Sequence, residues 1–279
     1  MPATDHIVPL RPFLKWAGGK QHLLRQYQPY LPPHSEIGRY YEPFIGSAAV
    51  FFHLQPAPAI LSDRNPNLIE AYRAVQTDVD GVITALQPHH NEPDYFYAIR
   101  AQDSAKLSLV ERAARLIYLN KTCYNGLYRE NSQGEFNVPF GRYKNPKICD
   151  EERLRAASAA LQGVELRVDD FAEVVETAVS NDFLYFDPPY VPRNATSSFT
   201  SYNRHGFSEA DQRRLAETVH RLNGRGCRIM LSNSDTPLVH QLYQHPSYHL
   251  INIQARRSIN SKAHRRGPIN ELLIVNYTP

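Results

Sequence analysis

Short apolar segments rich in β-branched and aromatic residues alternate with segments of helical periodicity, and this alternation constrains the fold more than any other feature of the sequence. It predicts an α/β fold with a mostly parallel sheet that helices cover on both faces. The strand segments are 39–42, 59–62, 165–168, 183–186, 228–231, 248–254 and 271–277. The last two follow each other without a helix, so we expect an antiparallel hairpin at the edge of the sheet.

Helical periodicity separates most of these strand segments. It covers residues 18–28, 47–54, 66–76, 151–162, 171–178, 208–223 and 236–244. Two of the helix starts carry local signals. Ser208 precedes the acidic residues Glu209 and Asp211, and Asp235 precedes Thr236-Pro237, so we predict that Ser208 and Asp235 cap these helices.

The alternation stops between residues 77 and 148. Helical periodicity covers 82–87, 93–102 and 108–120, and an aromatic, basic stretch follows. The sequence therefore predicts a main domain formed by residues 1–76 and 149–279, with an inserted, mainly helical subdomain at 77–148.

Composition excludes several classes of protein. The chain has 279 residues, of which 42% are hydrophobic, so it can bury a large core. No apolar run approaches the ~18 residues that a membrane span needs. The start lacks the basic and apolar regions of a secretory signal, and the three cysteines lie far apart. We therefore expect a cytoplasmic protein without a disulfide framework.

Basic side chains are concentrated in two windows, although the net charge is only +3. Residues 112–147 hold seven Lys or Arg and two Asp or Glu, and residues 256–266 hold five Lys or Arg and no acid. An acidic body with two basic strips suggests a polyanionic partner that contacts defined places. The alternative is that both runs are solvated faces.

Asp187-Pro188-Pro189-Tyr190 follows the apolar strand segment 183–186. The carboxyl ends of parallel strands are where ligands bind in open α/β sheets. An ionised carboxylate accepts hydrogen bonds, and the two prolines lack amide donors, so we expect rigid and unpaired carbonyl groups. With the flat face of Tyr190 beside them, these acceptors suit a planar group that bears an amine, such as a nucleobase. The alternative is a structural Pro-Pro turn.

Two further segments have ligand-binding character. Tyr41-Glu42-Pro43-Phe44-Ile45-Gly46-Ser47 runs from a strand through a glycine turn into a helix, and Asp63 ends the next strand. This spacing suits a nucleoside cofactor, whereas a turn glycine and a strand-end acid of structural role are the alternative. Phe13-Leu14-Lys15-Trp16-Ala17-Gly18-Gly19-Lys20 brings together the only Trp, a glycine pair and two lysines. By itself this second segment favours a helix entry with a core Trp.

The tail of the insertion interleaves aromatic, amide and guanidinium groups, over Tyr124-Asn125-Gly126-Leu127-Tyr128-Arg129 and 134–143. Turn signals predict short hairpins or loops here. Arg reads guanine bidentately, Asn reads adenine, and apolar side chains contact the thymine methyl group.

Together these segments resemble the Dam-like DNA adenine methyltransferases of the D12 class, with α motif order, and especially the type that methylates 5'-GATC-3'. The resemblance runs almost end to end, through FLKWAGGK (13–20), YEPFIG (41–46), NGLYR (125–129), EFNVPFGRYKNP (135–146), DPPY (187–190), FTSY (199–202), LSNSD (231–235) and RRSINS (256–261). It implies a Rossmann-like methyltransferase sheet, with residues 77–148 as the DNA target-recognition domain.

The resemblance implies S-adenosylmethionine as methyl donor, S-adenosylhomocysteine as product and no metal. Catalysis would fall to Asp187, Pro188, Pro189 and Tyr190. Cofactor binding would fall to Trp16, Lys20, Glu42, Phe44, Gly46, Asp63 (on the ribose), Asp170, Phe171 (near the adenine) and Asp187. This chain has Ala48 where the family usually has a second glycine.

The partner implied is double-stranded DNA, bound by a protein that is monomeric in solution. Lys15 and Arg129 would read guanine, Leu127 and Pro139 would contact the thymine methyl group, and Tyr124 or Asn125 would wedge into the base stack. The other DNA contacts implied are Tyr143, Arg256, Arg257, Ser258 and Asn260.

Several alternatives stay open. They are an adenine methyltransferase of another DNA site or of RNA, a non-catalytic DNA-binding relic, and a methyltransferase of small molecules or proteins. A solitary enzyme and one paired with a restriction endonuclease are equally compatible with the sequence. If the resemblance holds, the protein is of bacterial or phage type and contacts the nucleoid while it acts.

Overall fold

The central sheet contains seven strands. The structure, a computed structural model, describes residues 10–192, 206–256 and 268–278. In chain order the strands are β1 (Tyr40–Glu42), β2 (Ala59–Asp63), β3 (Glu165–Val168), β4 (Phe183–Phe186), β5 (Arg228–Ser234), β6 (His249–Arg256) and β7 (Pro268–Val275). Their order across the sheet is β3-β2-β1-β4-β5-β7-β6.

The pairing confirms the predicted sheet. Neighbours from β3 to β5 are parallel, whereas β7 is antiparallel to both β5 and β6. The chain crosses from β1 to β2 and β3 on one side and then returns to β4 on the other side of β1. The carboxyl ends of β1 and β4 therefore flank a topological switch point, where such sheets bind ligands.

Helices cover both faces of this sheet. Successive strand residues such as Tyr40 and Tyr41 belong to two different clusters of buried apolar side chains, as expected for strands buried on both sides. The α-helices of the described residues are α1 (Leu24–Tyr27), α2 (Ala49–Leu54), α3 (Pro66–Thr77), α4 (Val79–Leu86), α5 (Pro93–Arg100), α6 (Leu109–Thr122), α7 (Glu151–Ala160), α8 (Phe171–Val174), α9 (Glu209–Gly224) and α10 (Pro237–Leu242).

The helices between residues 77 and 122 pack onto the rest of the protein. Helix α6 contacts α3, α4 and α5, and α4 contacts α7. Buried side chains of α6, such as Ile117, belong to the same apolar cluster as Tyr72 of α3 and Tyr40 of β1. The helices therefore share a core with the sheet, and the division of the chain at residues 77 and 148 stays a prediction.

Three local predictions are corrected. Residues 18–28 do not form one helix, because Gly18 has a φ of +78° and the turns that follow are 3₁₀ segments around the four-residue α1. Asp235 is not the cap of α10, since its Oδ1 lies 2.8 Å from Nε2 of His240 and Thr236 occupies the cap position. Strand β5 continues to Ser234, three residues beyond its last predicted residue.

Candidate active site

A cavity of about 320 Å³ lies at the switch point, beside the carboxyl ends of β1, β2 and β4. Its wall includes Trp16, Lys20, Glu42, Phe44, Gly46, Asp63, Asp187, Pro188, Pro189 and Tyr190. These residues come from four separate parts of the sequence, and the fold brings them together. Arg64, Phe207 and Glu271 also line the cavity, although no sequence pattern singled them out.

The turn after β1 forms one wall of this cavity. Gly46 has a φ of +44°, and a Cβ there would lie 3.0 Å from Cδ1 of Trp16. Glycine is therefore required both by the backbone and by the close approach of the indole ring. Ala48 also has a positive φ, of +54°, a conformation that costs less for glycine than for alanine.

Two carboxyl groups, of the buried Glu42 and the partly buried Asp63, face the cavity from the ends of β1 and β2. Burial raises the pKa of Glu42 to about 8, although its Oε2 accepts hydrogen bonds from Tyr40 Oη at 2.8 Å and Phe51 N at 3.2 Å. Burial likewise raises the pKa of Asp63 to about 6, while its Oδ1 accepts from Asn65 N at 3.0 Å. Both groups thus lie where a polar ligand can compensate their burial.

The Asp187 carboxylate is held by two side chains. Lys20 Nζ lies 2.6 and 2.7 Å from its two oxygens, and Ser232 Oγ donates to its Oδ1 at 2.8 Å. Lys20 is nearly buried, and its ammonium also lies 4.9 Å from the centre of the Tyr190 ring. The Tyr190 hydroxyl donates to Glu271 Oε2 at 2.9 Å, so both ends of the Asp187–Tyr190 segment are anchored.

The two proline carbonyl groups of this segment differ in their hydrogen bonding. The expectation that both are unpaired is therefore corrected. Gln212 Nε2 donates to the Pro189 oxygen at 2.8 Å, because α9 packs its buried Gln212 against the turn. Within the described residues, no donor reaches the Pro188 oxygen. Asp187 and Pro188 therefore form a pair of adjacent acceptors beside an aromatic ring, which can bind two hydrogens of one amine.

Asp170 and Phe171 lie beside the cavity and are not part of its described wall. Both Asp170 oxygens accept from the Arg214 guanidinium, at 2.6 and 2.9 Å. Phe171 is buried and stacks on Phe44 with the ring centres 5.4 Å apart. The pair therefore supports the cavity wall through Phe44 in this structure.

The predicted DNA-reading residues form a second group. The Lys15 ammonium lies 4.4 Å from the centre of the Tyr143 ring, and Tyr124 N donates to the Pro139 oxygen at 2.8 Å. Tyr124 is half exposed, whereas Leu127 is partly buried. Isolated antiparallel bridges, Cys123 with Phe140 and Glu130 with Phe136, hold this part of the chain, in line with the predicted short hairpins and loops.

Arg129 extends from the same loop. Its Nε donates to Asn137 Oδ1 at 2.6 Å, which holds the guanidinium on the exposed surface. Asn125 has a φ of +56°, a conformation that Asn tolerates better than most residues. Arg256 ends β6, and Arg257, Ser258 and Asn260 lie outside the described residues.

Asn120 joins the two segments that carry the predicted DNA-reading residues, one around Lys15 and the other at Tyr124–Arg129. Sequence patterns did not identify Asn120. It is buried in α6, its Oδ1 accepts from Lys15 N at 2.8 Å, and its Nδ2 donates to the Lys15 oxygen at 2.5 Å and the Gly126 oxygen at 3.2 Å. A Cβ on Gly126 would lie 2.7 Å from Cβ of Lys15. Only tertiary structure reveals the hydrogen bonds between Asn120 and Lys15, because 105 residues separate the two in sequence.

The geometry thus defines an α/β protein with a cavity at the switch point of its sheet, two adjacent hydrogen-bond acceptors in the cavity wall and a basic surface nearby. Residues 16–259 match the family described as D12 class N6 adenine-specific DNA methyltransferase. The chain belongs to this family and is an adenine-specific DNA methyltransferase. Membership implies S-adenosylmethionine as the methyl donor.

Curated relatives cover nearly the whole chain. The Type II methyltransferase M1.LlaDCHI of Lactococcus lactis subsp. cremoris is 43% identical, over 96% of each chain. The Type II methyltransferase M.MjaIII of Methanocaldococcus jannaschii is also 43% identical, over 96% of this chain and 99% of its own. The DNA adenine methylase of Escherichia coli K12 is 36% identical, over 96% of each chain. Within the described residues, no helix is both long and apolar enough to cross a membrane.

Proposed function

We propose that the protein methylates the exocyclic amine of adenine in 5'-GATC-3', after the base has left the duplex. The observation that carries this proposal is the pair of acceptors at Asp187 and Pro188, beside the Tyr190 ring in the wall of the cavity. The basic reading surface that holds Lys15 and Arg129 supports DNA as the substrate.

The residues of the cavity suit S-adenosylmethionine. The partly buried Asp63 carboxylate lies at the tip of β2, where nucleoside-binding sheets hold ribose hydroxyls. Gly46 lets the Trp16 indole approach the backbone closely, and Trp16 and Phe44 provide apolar surface. When bound, the cofactor supplies an electrophilic methyl group on sulfur. Trp16, Lys20, Glu42, Phe44, Gly46, Asp63 and Asp187 are the residues that we assign to its binding, with Asp170 and Phe171 behind Phe44.

The role of the acceptors follows from the chemistry of adenine. The lone pair of its exocyclic amine is delocalised into the ring, so the amine is a poor nucleophile. The Asp187 carboxylate and the Pro188 carbonyl would each accept a hydrogen bond from the amine and direct its lone pair out of the ring plane. Tyr190 would stack on the base. The target adenine must leave the base stack, because these contacts cannot form inside the duplex. Positioning and electrostatic stabilisation then supply most of the rate enhancement.

Sequence reading is assigned to the surface around Lys15 and the Tyr124–Arg129 loop. Lys15 and Arg129 suit guanine, Leu127 and Pro139 suit the thymine methyl group, and Tyr124 or Asn125 would fill the space that the flipped adenine leaves. Tyr143 holds the Lys15 ammonium over its ring. Arg256, Arg257, Ser258 and Asn260 are assigned to the DNA backbone. We further propose a cytoplasmic monomer that contacts the nucleoid while it acts, either solitary or paired with a cognate restriction endonuclease.

The test supplies labelled S-adenosylmethionine with matched duplexes that contain GATC or carry one changed base pair, and with a GAUC-containing RNA. We expect label in N6-methyladenine from the GATC duplex only. Equal labelling of both duplexes contradicts the proposed site, and preferential labelling of the RNA favours the RNA alternative.

Arg129→Ala tests the reading assignment. Each lost bidentate guanine contact costs ~1–3 kcal/mol of discrimination, so the preference for GATC over a site changed at one guanine should fall about 5- to 150-fold. Arg221→Ala, on the exposed face of α9, is the control and should leave the preference unchanged. Unchanged discrimination in Arg129→Ala contradicts this assignment.

A further inference from the structure

We propose that Ser232-Asn233-Ser234, at the end of β5, positions the Asp187–Tyr190 segment for catalysis. This inference rests on the proposed role of Asp187 and deepens it. All three side chains are buried, at 0%, 0% and 3% exposed. Burial of three consecutive polar residues at the end of a sheet strand is costly unless each polar group is paired.

Each residue of the run pairs with the active-site segment or its support. Ser232 Oγ donates to Asp187 Oδ1 at 2.8 Å. Asn233 Oδ1 accepts from Val191 N at 3.1 Å, and Ser234 Oγ donates to the Val191 oxygen at 2.7 Å. The peptide groups on both sides of the Val191 α-carbon are therefore fixed directly by β5.

Asn233 also acts through α9. Its Nδ2 donates to Gln212 Oε1 at 3.0 Å, and Gln212 Nε2 donates to the Pro189 oxygen at 2.8 Å. Gln212 is 2% exposed, so this relay is shielded from water. Two chained hydrogen bonds thus define the orientation of the peptide between Pro189 and Tyr190.

Some acceptors of this segment are bonded within the protein, and others remain for a ligand. The Pro189 oxygen is occupied by Gln212, and one lone pair of Asp187 Oδ1 is occupied by Ser232. Lys20 Nζ occupies a further position on each Asp187 oxygen, so the Pro188 oxygen and one lone pair of Asp187 Oδ2 stay available to an amine, in an orientation that the protein has set before the base arrives. Pre-set acceptors need no reorganisation during the reaction, which is the main source of electrostatic catalysis.

Ser232→Ala is the direct test, with kcat, KM for DNA and cofactor affinity measured separately. We expect kcat to fall about 10- to 100-fold, the effect of one hydrogen bond to a charged group, while KM and cofactor affinity change less than about twofold. A duplex with 2-aminopurine at the target position should show unchanged base flipping. Ser232→Thr keeps the hydroxyl and should recover most of the lost kcat.

Two further variants separate positioning from folding. Gln212→Glu replaces the donor to the Pro189 oxygen by an acceptor of the same size and should lower kcat with little change in KM. Ser62→Ala is the matched control, because Ser62 is a fully buried strand residue whose hydroxyl has no partner within the described residues. Its kcat should equal that of the wild type.

The outcomes are distinguishable. Wild-type kcat in Ser232→Ala overturns the inference. So does a loss in Ser232→Ala that Ser232→Thr does not recover and that matches a fall in melting temperature, since that result shows a structural role only. If the wild-type protein transfers no methyl group to adenine in DNA, the proposed function itself fails.

Discussion

Single residues set the chemistry of the cavity, and the carboxyl groups of Glu42 and Asp63 show how. Glu42 and Asp63 end adjacent parallel strands, and burial raises the pKa of both, to about 8 and about 6. The strand-end position of Asp63 predicted an acid that faces a nucleoside, and the resemblance to the family implied that Glu42 lines the pocket. The sequence did not predict their protonation, which depends on the surrounding core and on Tyr40, whose hydroxyl binds Glu42.

Asp63→Asn should weaken the binding of S-adenosylmethionine about 10- to 100-fold, because the amide replaces an acceptor of two hydroxyl hydrogens by a mixed donor and acceptor. Trp16 is the only tryptophan of the chain and lines the cavity, so its fluorescence reports cofactor binding. Asp94→Asn, on the exposed start of α5, is the control. Equal affinity in Asp63→Asn and the wild type contradicts the assignment of Asp63.

Glu42→Gln tests the raised pKa through stability. In the unfolded chain the Glu42 carboxyl group ionises near pH 4.3, whereas in the folded protein it stays neutral up to a pH of about 8. Between these values the wild type should therefore lose about 1.4 kcal/mol of unfolding free energy per pH unit from this group alone. Urea unfolding of both proteins at several pH values measures it.

The difference in unfolding free energy should move in favour of Glu42→Gln as the pH rises, and it should level off above pH of about 8. Glu152→Gln, on the exposed start of α7, is the control in which an exposed glutamate is replaced. A pH-independent difference for Glu42→Gln contradicts the raised pKa.

At the scale of elements, periodicity predicted most helices and all strands, and it failed where side-chain contacts outweigh local preference. Residues 228–231 were the predicted strand, because the polar Ser232-Asn233-Ser234 run ends the apolar pattern. The strand continues through this run, since β7 pairs with its backbone and the Asp187–Val191 segment pairs with its side chains. The helix predicted for residues 18–28 is wrong because Gly18 and Gly19 interrupt the helical pattern at its start.

Contact between distant elements also explains why sequence patterns did not identify Asn120, which lies beside the predicted DNA-reading residues. Asn120 of α6 binds both peptide groups around Lys15 and the Gly126 carbonyl. No local pattern predicts an amide that bridges two segments 105 residues apart. The Asn120 side chain therefore contributes directly to the spacing of Lys15 from the Tyr124–Arg129 loop.

Asn120→Ala should loosen the two reading segments relative to each other. We expect a lower preference for GATC over single-base variants, with a loss of ~1–3 kcal/mol in stability because three buried bonds are removed. Asn276→Ala is the matched control: its side chain also makes three hydrogen bonds, to Ile229, Asn223 and Cys227, on another part of the sheet. Equal effects of both variants on site preference contradict the role of Asn120.

At the scale of the whole molecule, the net charge of +3 is an average over unlike surfaces. The basic window 112–147 includes the loop that holds Arg129 and the Pro139 turn, whereas the body of the α/β sheet carries most of the acids. The second window, 256–266, lies almost entirely outside the described residues. A small net charge is therefore compatible with strong local attraction to phosphates.

DNA binding should weaken steeply with salt despite this near-neutral total. The logarithm of the binding constant should fall linearly with the logarithm of salt concentration, with a slope of about −0.9 for each phosphate neutralised. Arg142→Gln, in the basic window, should reduce the slope by about one unit, and Arg213→Gln, on the exposed face of α9, should not. A slope near zero in the wild type contradicts this account.

The most direct test of the central claim compares wild-type protein with Asp187→Ala in methyl transfer from labelled S-adenosylmethionine to a GATC duplex. The account predicts N6-methyladenine from the wild type and no turnover from Asp187→Ala, even at S-adenosylmethionine concentrations that saturate the variant, as Trp16 fluorescence reports. Asp94→Ala is the control and should retain wild-type activity. Near-normal methylation by Asp187→Ala, or label in a base other than adenine, would contradict the account.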